Sequence, residues 1–143
     1  DYDEKTCMAY FCAALIHDIG LLDIDESFFR AEKLTDKQYE ILKSHTKISA
    51  DKINFIDEEY KSIFMEAITK HHENIDGSGY PNGLTDGDIP EIARMIRVVE
   101  SYIALVSSRV YRNIADKQSA IGELLQNSDK YDKKIVEALD NVL

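Results

Sequence analysis

The chain has 143 residues, a net charge of −10 and an apolar share of 44% with both charge signs well represented, which suits one globular domain with its own core and argues against a disordered segment. The acidic balance disfavours a nucleic-acid polymer as partner, because that affinity comes mostly from Lys and Arg neutralising phosphates. No apolar run is read as approaching the roughly 18 residues of a bilayer span and nothing at the start reads as a leader, so a cytoplasmic protein without a membrane segment is expected.

The chain opens at Asp1 without a methionine and enters helical periodicity almost at once, so a single domain over residues 1–143, cut from a longer protein with upstream sensory or regulatory elements, is expected. Met8, Phe11, Cys12, Leu15 and Ile16 mark the inner face of a first helix, which Gly20 breaks. Cys7 and Cys12, five apart and so turned to different faces, read as small buried hydrophobes rather than a disulfide. A short amphipathic turn over Asp25 to Arg30 comes next. Thr35 with Gln38 then makes a capping box for a helix running to about residue 54, with Ile41, Leu42 and Ile48 inward.

A further helix from about Asp57 to Glu73 buries Ile63, Phe64, Ala67 and Ile68. Residues 74–90 hold four of the six glycines and both prolines, the mark of a long structured loop, and loops of that length are usually functional. A helix from about Glu91 to Ser107 follows, with Ile92, Met95, Ile96, Val99, Ile103 and Val106 inward, and two shorter helices, about 115–127 and 131–142, close the chain. No stretch alternates as a strand would. Four of the five arginines, Arg94, Arg97, Arg109 and Arg112, fall in one short segment and could concentrate positive charge for a small anion.

The polar residues on the apolar stripes carry the chemistry. His45 lies between Ile41 and Ile48 on the helical pattern; His71 and His72 extend the stripe of Phe64, Ala67 and Ile68; His17 and Asp18 close the first helix; Glu100 lies between Ile96 and Ile103. Any one histidine reads most simply as a core residue satisfied by a carbonyl. All four together with two carboxylates are costly to bury without a common partner, and a metal centre makes them ligands. Neighbours on an ideal helix diverge by about 100°, so the pairs His17–Asp18 and His71–His72 suit two ions bridged by a carboxylate. Imidazole and carboxylate without thiolate favour iron or manganese, with zinc or nickel as alternatives. Two such ions activate a water and hold a phosphoryl oxygen, the chemistry of phosphoester hydrolysis.

In order and spacing, "HDIG" at 17–20, "KSHTKISADKI" around His45, "HHENIDGSGYPNGL" at 71–84 and "MIRVVESYIALVSSRVYR" at 95–112 resemble the HD-GYP domain, a branch of the HD-domain phosphohydrolases. The resemblance covers residues 10–112 closely. It implies an all-α HD-domain bundle of about five to seven helices with a long GYP loop. It also implies a centre of two or three divalent metal ions, and hydrolysis of the bacterial messenger cyclic di-GMP to pGpG or onward to GMP. Carried over by position, the ligands are His17, Asp18, His45, His71, His72 and, where the family usually has aspartate, Glu100. Asp18 is then the bridging carboxylate and, with His17, the catalytic pair, while Tyr80, Arg109 and Arg112 contact the dinucleotide. A diguanylate cyclase (GGDEF) partner docking on the GYP loop is a further implication.

Three departures bear on activity. The lysine that usually follows HDIG is Leu21, and the family's D-x-y-D-A-L is Glu100-Ser-Tyr-Ile103-Ala-Leu, which lengthens one acid and removes the other. Losing a charge beside a developing phosphorane commonly costs about 10²–10³ in rate. Two functions are therefore carried forward: a metal-dependent phosphodiesterase, and a catalytically weakened domain that binds the nucleotide and signals.

Overall fold

Four helices start at a polar residue whose side chain accepts a main-chain N–H left over at the helix end. Asp3 accepts from Thr6 N at 2.8 Å and opens α1, Glu4–Ile16. Thr35 and Gln38 form the expected reciprocal capping box at the start of α3, Asp36–Lys43. Asp116 and Asp132 open α7, Lys117–Gln126, and α8, Lys133–Val142. A computed structural model of the chain describes residues 2–31, 33–107 and 115–143. Among the described residues the fold is all-α, with one isolated bridge, Asp76 to Thr85, in a loop. The contacts divide the chain into two units, Asp1–Lys70 and His71–Leu143.

In the first unit α1 leads into a 3-10 turn, Ile19–Asp23, then α2, Ser27–Arg30, α3, α4, His45–Lys52, and α5, Glu58–Lys70. The helix expected to run to about residue 54 is broken at Ser44. Ser44 Oγ donates to Ile41 O at 2.6 Å and His45 Nδ1 lies 2.7 Å from Leu42 O, so side chains occupy carbonyls that a continuing helix would use. This break and the one-turn α2 divide the expected all-α fold more finely, into segments α1 to α8 among the described residues. The 3-10 turn packs on α4, and Gly20 makes the close approach possible: a Cβ there would sit 2.3 Å from His45 O and 2.7 Å from Ser49 N. Gly20 N donates to Ser49 Oγ at 2.8 Å across that contact.

α1 packs on α5, which buries Phe64, Ala67 and Ile68 as the pattern predicts. The face of α1 is different from the one expected. Ala9 and Ala13 are buried, while Met8, Phe11 and Leu15 are more than half exposed. The helix is apolar on all sides, so periodicity does not choose a face, and the small residues allow a close helix approach. Cys7 is exposed and Cys12 half-buried, a second departure from the expected burial; neither forms a disulfide. Glu4–Asp23 also reaches the length and mean hydropathy, 1.3, of a membrane-crossing helix by composition, contrary to expectation, with 17% of that stretch buried. Its helical backbone changes type at His17 and Asp18.

In the second unit α6, Glu91–Val106, packs against α7 and α8 around Val98, Leu105, Ala120, Ile121, Leu124 and Val136. Ile92 and Ile96 are buried as expected, but Val99 and Ile103 are exposed at 40% and 52%. The core along the second half of α6 instead takes Val98 and Leu105, the residues that meet α7 and α8. Residues 74–90 form the expected structured loop. It closes on itself through Asp86 N donating to Ile75 O at 3.1 Å, with Gly77 and Gly83 at positive φ.

Candidate metal centre

Three of the expected ligands lie in the first unit. His17 caps the end of α1, Asp18 precedes the 3-10 turn and His45 opens α4. His17 Nδ1 is 2.7 Å from Ala14 O and His45 Nδ1 is 2.7 Å from Leu42 O. A carbonyl oxygen only accepts, so each Nδ1 carries its ring's proton, and in a neutral ring Nε2 keeps a lone pair. Both Nε2 atoms face Asp18, at 3.4 Å from Oδ2 for His17 and 3.1 Å from Oδ1 for His45. An ionised carboxylate also offers only lone pairs. The three groups therefore call for a proton or a cation among them.

A divalent cation suits this donor set. Imidazoles that give one N–H to a main-chain carbonyl and keep the other nitrogen for a ligand bond are the usual arrangement around metals, because the outer hydrogen bond fixes tautomer and ring orientation. Asp18 presents its two oxygens to two different imidazoles.

The other three lie in the second unit. α5 ends at Lys70, short of the expected Glu73, so His71 and His72 sit in the turn beyond it. His71 is fully buried. The rings are 4.1 Å apart between centroids, and His72 Nδ1 lies 4.0 Å from Glu100 Oε2 on α6. A ring nitrogen of His71 comes within 4.8 Å of one on His72, and within that distance of a Glu100 oxygen. Neither adjacent pair is inside a helix, so the divergence of helical neighbours does not bear on the number of ions.

Tyr80 stacks on His72 with centroids 4.6 Å apart and planes 24° apart, and its N–H donates to His72 O at 3.2 Å. Arg94 and Arg97 are committed elsewhere: Arg94 pairs with Asp132 at 2.8 Å, and Arg97 Nε donates to Asn74 Oδ1 at 2.9 Å. The other two members of the expected cluster, Arg109 and Arg112, lie outside the described residues. In the loop, the Ser78 hydroxyl and then its N–H hold the Asp76 carboxyl below the usual range. Glu73, given no role from the sequence, is almost wholly buried, with its oxygens on the N–H groups of Asn82 and Leu84. The available signal was its place directly after two histidines and before a glycine-rich turn.

An HD-domain family model matches residues 1–135. The chain belongs to the HD-domain family. The HHENIDGSGYP segment sets the chain in the HD-GYP branch. It is 36% identical over 128 residues to a cyclic di-GMP phosphodiesterase of Thermotoga maritima, covering 88% of this chain and 35% of that protein. It is 33% identical over 132 residues to the cyclic di-GMP phosphodiesterase PdeB of Borreliella burgdorferi, covering 91% and 34%. A 3′3′-cGAMP-specific phosphodiesterase 2 of Vibrio cholerae matches at 30% over 129 residues, covering 89% and 25%. The HD-domain chain thus spans about a third or less of the length of these relatives.

Proposed function

We propose that the chain is the hydrolytic domain of a metal-dependent cyclic dinucleotide phosphodiesterase, with cyclic di-GMP as first substrate and pGpG or GMP as product. The observation that carries it is the Asp18 carboxylate faced by the Nε2 atoms of His17 and His45 while both Nδ1 protons are given to carbonyls. His17, Asp18 and His45 with His71, His72 and Glu100 would hold two or three divalent ions, iron or manganese before zinc or nickel. Such ions supply an activated water and a counter-charge for phosphoryl oxygens. The carbonyls of Ala14 and Leu42 keep two imidazoles in the metal-ready tautomer. Asp18 orients both rings and adds negative charge that attracts a cation. Tyr80, ordered on His72, offers an aromatic face to a base or ribose, and Arg109 with Arg112 would hold the two phosphates. A messenger of this class places the domain on the cytoplasmic side, and a diguanylate cyclase docking on the GYP loop is the partner we assign.

Elemental analysis of the protein purified without chelators, with a chromatographic assay on cyclic di-GMP and 3′3′-cGAMP under anaerobic ferrous conditions, tests this reading. Metal bound with turnover of either dinucleotide is expected. Metal-free protein that gains no activity on loading with iron or manganese would overturn it.

One observation favours a second reading. The positions of the lysine and second aspartate carry Leu21 and Ile103, and Ile103 stands half-exposed on α6 with no charge to offer a phosphate. A domain so altered would bind the dinucleotide and signal its occupancy with slow turnover. Calorimetric binding without product over hours would decide for it.

A further inference from the structure

Glu73 is a carboxylate at 2% exposure whose two oxygens are both taken by main-chain N–H groups: Asn82 N at 2.7 Å to Oε1 and Leu84 N at 2.9 Å to Oε2. Those amides lie nine and eleven residues further along, on the far limb of the GYP loop. Charge-assisted bonds of this kind are about twice as strong as neutral ones, and two from one planar group fix orientation as well as distance. The near limb is held by a different device. A Cβ at Gly79 would lie 2.3 Å from Asn74 N and 2.5 Å from both Glu73 Cα and His72 O, so the chain returns against its own start. Tyr80 falls between these two fixings, with its N–H on His72 O and its ring on the His72 imidazole.

We propose that Glu73 is the positioning residue of the GYP loop: by tying Asn82 and Leu84 back beneath the histidine pair, it sets the Tyr80 ring over His72 and so presets the aromatic face that receives a nucleotide. Its consequence for substrate rests on the cyclic dinucleotide reading above; its consequence for the loop does not. Glu73 acts through Tyr80 rather than on the substrate. Its loss therefore weakens nucleotide capture more than the chemical step.

The test uses the manganese-loaded chain and compares wild type with Glu73→Gln, Glu73→Asp, Tyr80→Ala and the double variant Glu73→Gln/Tyr80→Ala. An amide in place of the carboxylate turns a donor toward one of the two N–H groups. In Glu73→Gln, exchange of the Asn82 and Leu84 amides and KM for cyclic di-GMP are each expected to rise about tenfold. Metal content and kcat stay near wild type. Glu73→Asp, which reaches only one amide, falls between, and also serves if the glutamine variant does not fold. The double variant is no worse than Tyr80→Ala alone. Unchanged exchange in the glutamine variant, or losses that multiply in the double variant, overturn the proposal. If wild type turns over no cyclic dinucleotide, the phosphodiesterase reading is what fails, and amide exchange alone then decides the role of Glu73.

Discussion

The two halves of the proposed ligand set are positioned by opposite means. In the first unit main-chain carbonyls, Ala14 O and Leu42 O, orient His17 and His45, and a glycine contact brings α4 against the turn that carries Asp18. In the second unit a side-chain carboxylate, Glu73, orients the main chain, and the ordered loop then carries Tyr80 onto His72. The first arrangement is built from helix ends and resists change as long as those helices stay packed. The second is a loop held by a few polar contacts, the kind of element that opens at lower free-energy cost than packed helices. Metal retention should therefore depend most on the first unit, and substrate capture on the second.

The sharpest way to break that contrast is Asp18→Asn. It keeps shape but removes the charge both imidazoles face, and hydrolysis is expected to fall by about 10³ or more with loss of bound metal, read by elemental analysis and rate. His71→Gln should also reduce metal, by about 10–100-fold in affinity; full retention in either variant would remove that half from the centre. Gly20→Ala and Gly79→Ala compare the two scaffolds directly, since each puts a Cβ 2.3 Å from main chain. Both should destabilise by about 1–3 kcal/mol in denaturant unfolding. Only Gly20→Ala should release metal, while Gly79→Ala should raise KM.

Much of the architecture was legible because helical periodicity and capping residues are local: the capping box at Thr35, the buried stripe of α5 and the long loop are where the pattern puts them. The helix break at Ser44 was hidden, because periodicity does not register side chains competing for the carbonyls of Ile41 and Leu42. The face of α1 is not legible in its pattern, because bulk does not decide burial there: Met8, Phe11 and Leu15 stay exposed, and Ala9 and Ala13 are what α1 buries. The residue types of the candidate site stand out in the sequence as ionisable groups on apolar stripes. Their tautomers, and the part played by Glu73, were not, since both depend on main-chain atoms brought near only by the fold.

Leu21→Lys sharpens the contrast in activity rather than in metal. Leu21 begins the 3-10 turn's return, its N–H donating to Asp18 O at 2.9 Å, a bond that any residue there can make. The backbone tolerates the change, and a cation is added on the turn that follows Asp18. If missing positive charge limits turnover, kcat should rise about tenfold, within the range such contacts supply. No gain would locate the weakness at Glu100 and Ile103 instead, and would favour the nucleotide-binding reading.

The smallest effect is expected from Asp76, and its value lies in its sign. The Ser78 hydroxyl and then its N–H stabilise the ionised carboxylate and lower its pKa in the folded loop. A lowered folded-state pKa means that the contribution to loop order is complete above the unfolded value and is lost as pH falls through the folded one. That window lies below the ordinary carboxylate pKa of about 4, so Asp76 stays charged across the neutral range. Asp76→Asn should accordingly change KM by no more than about twofold, as for other exposed contacts, with no pH dependence between about 6 and 8. A KM that shifts with pH in that range, and loses the shift in Asp76→Asn, would show the loop to be governed by a titrating residue outside the Glu73 contacts. The second unit would then be a pH-responsive element rather than a fixed platform.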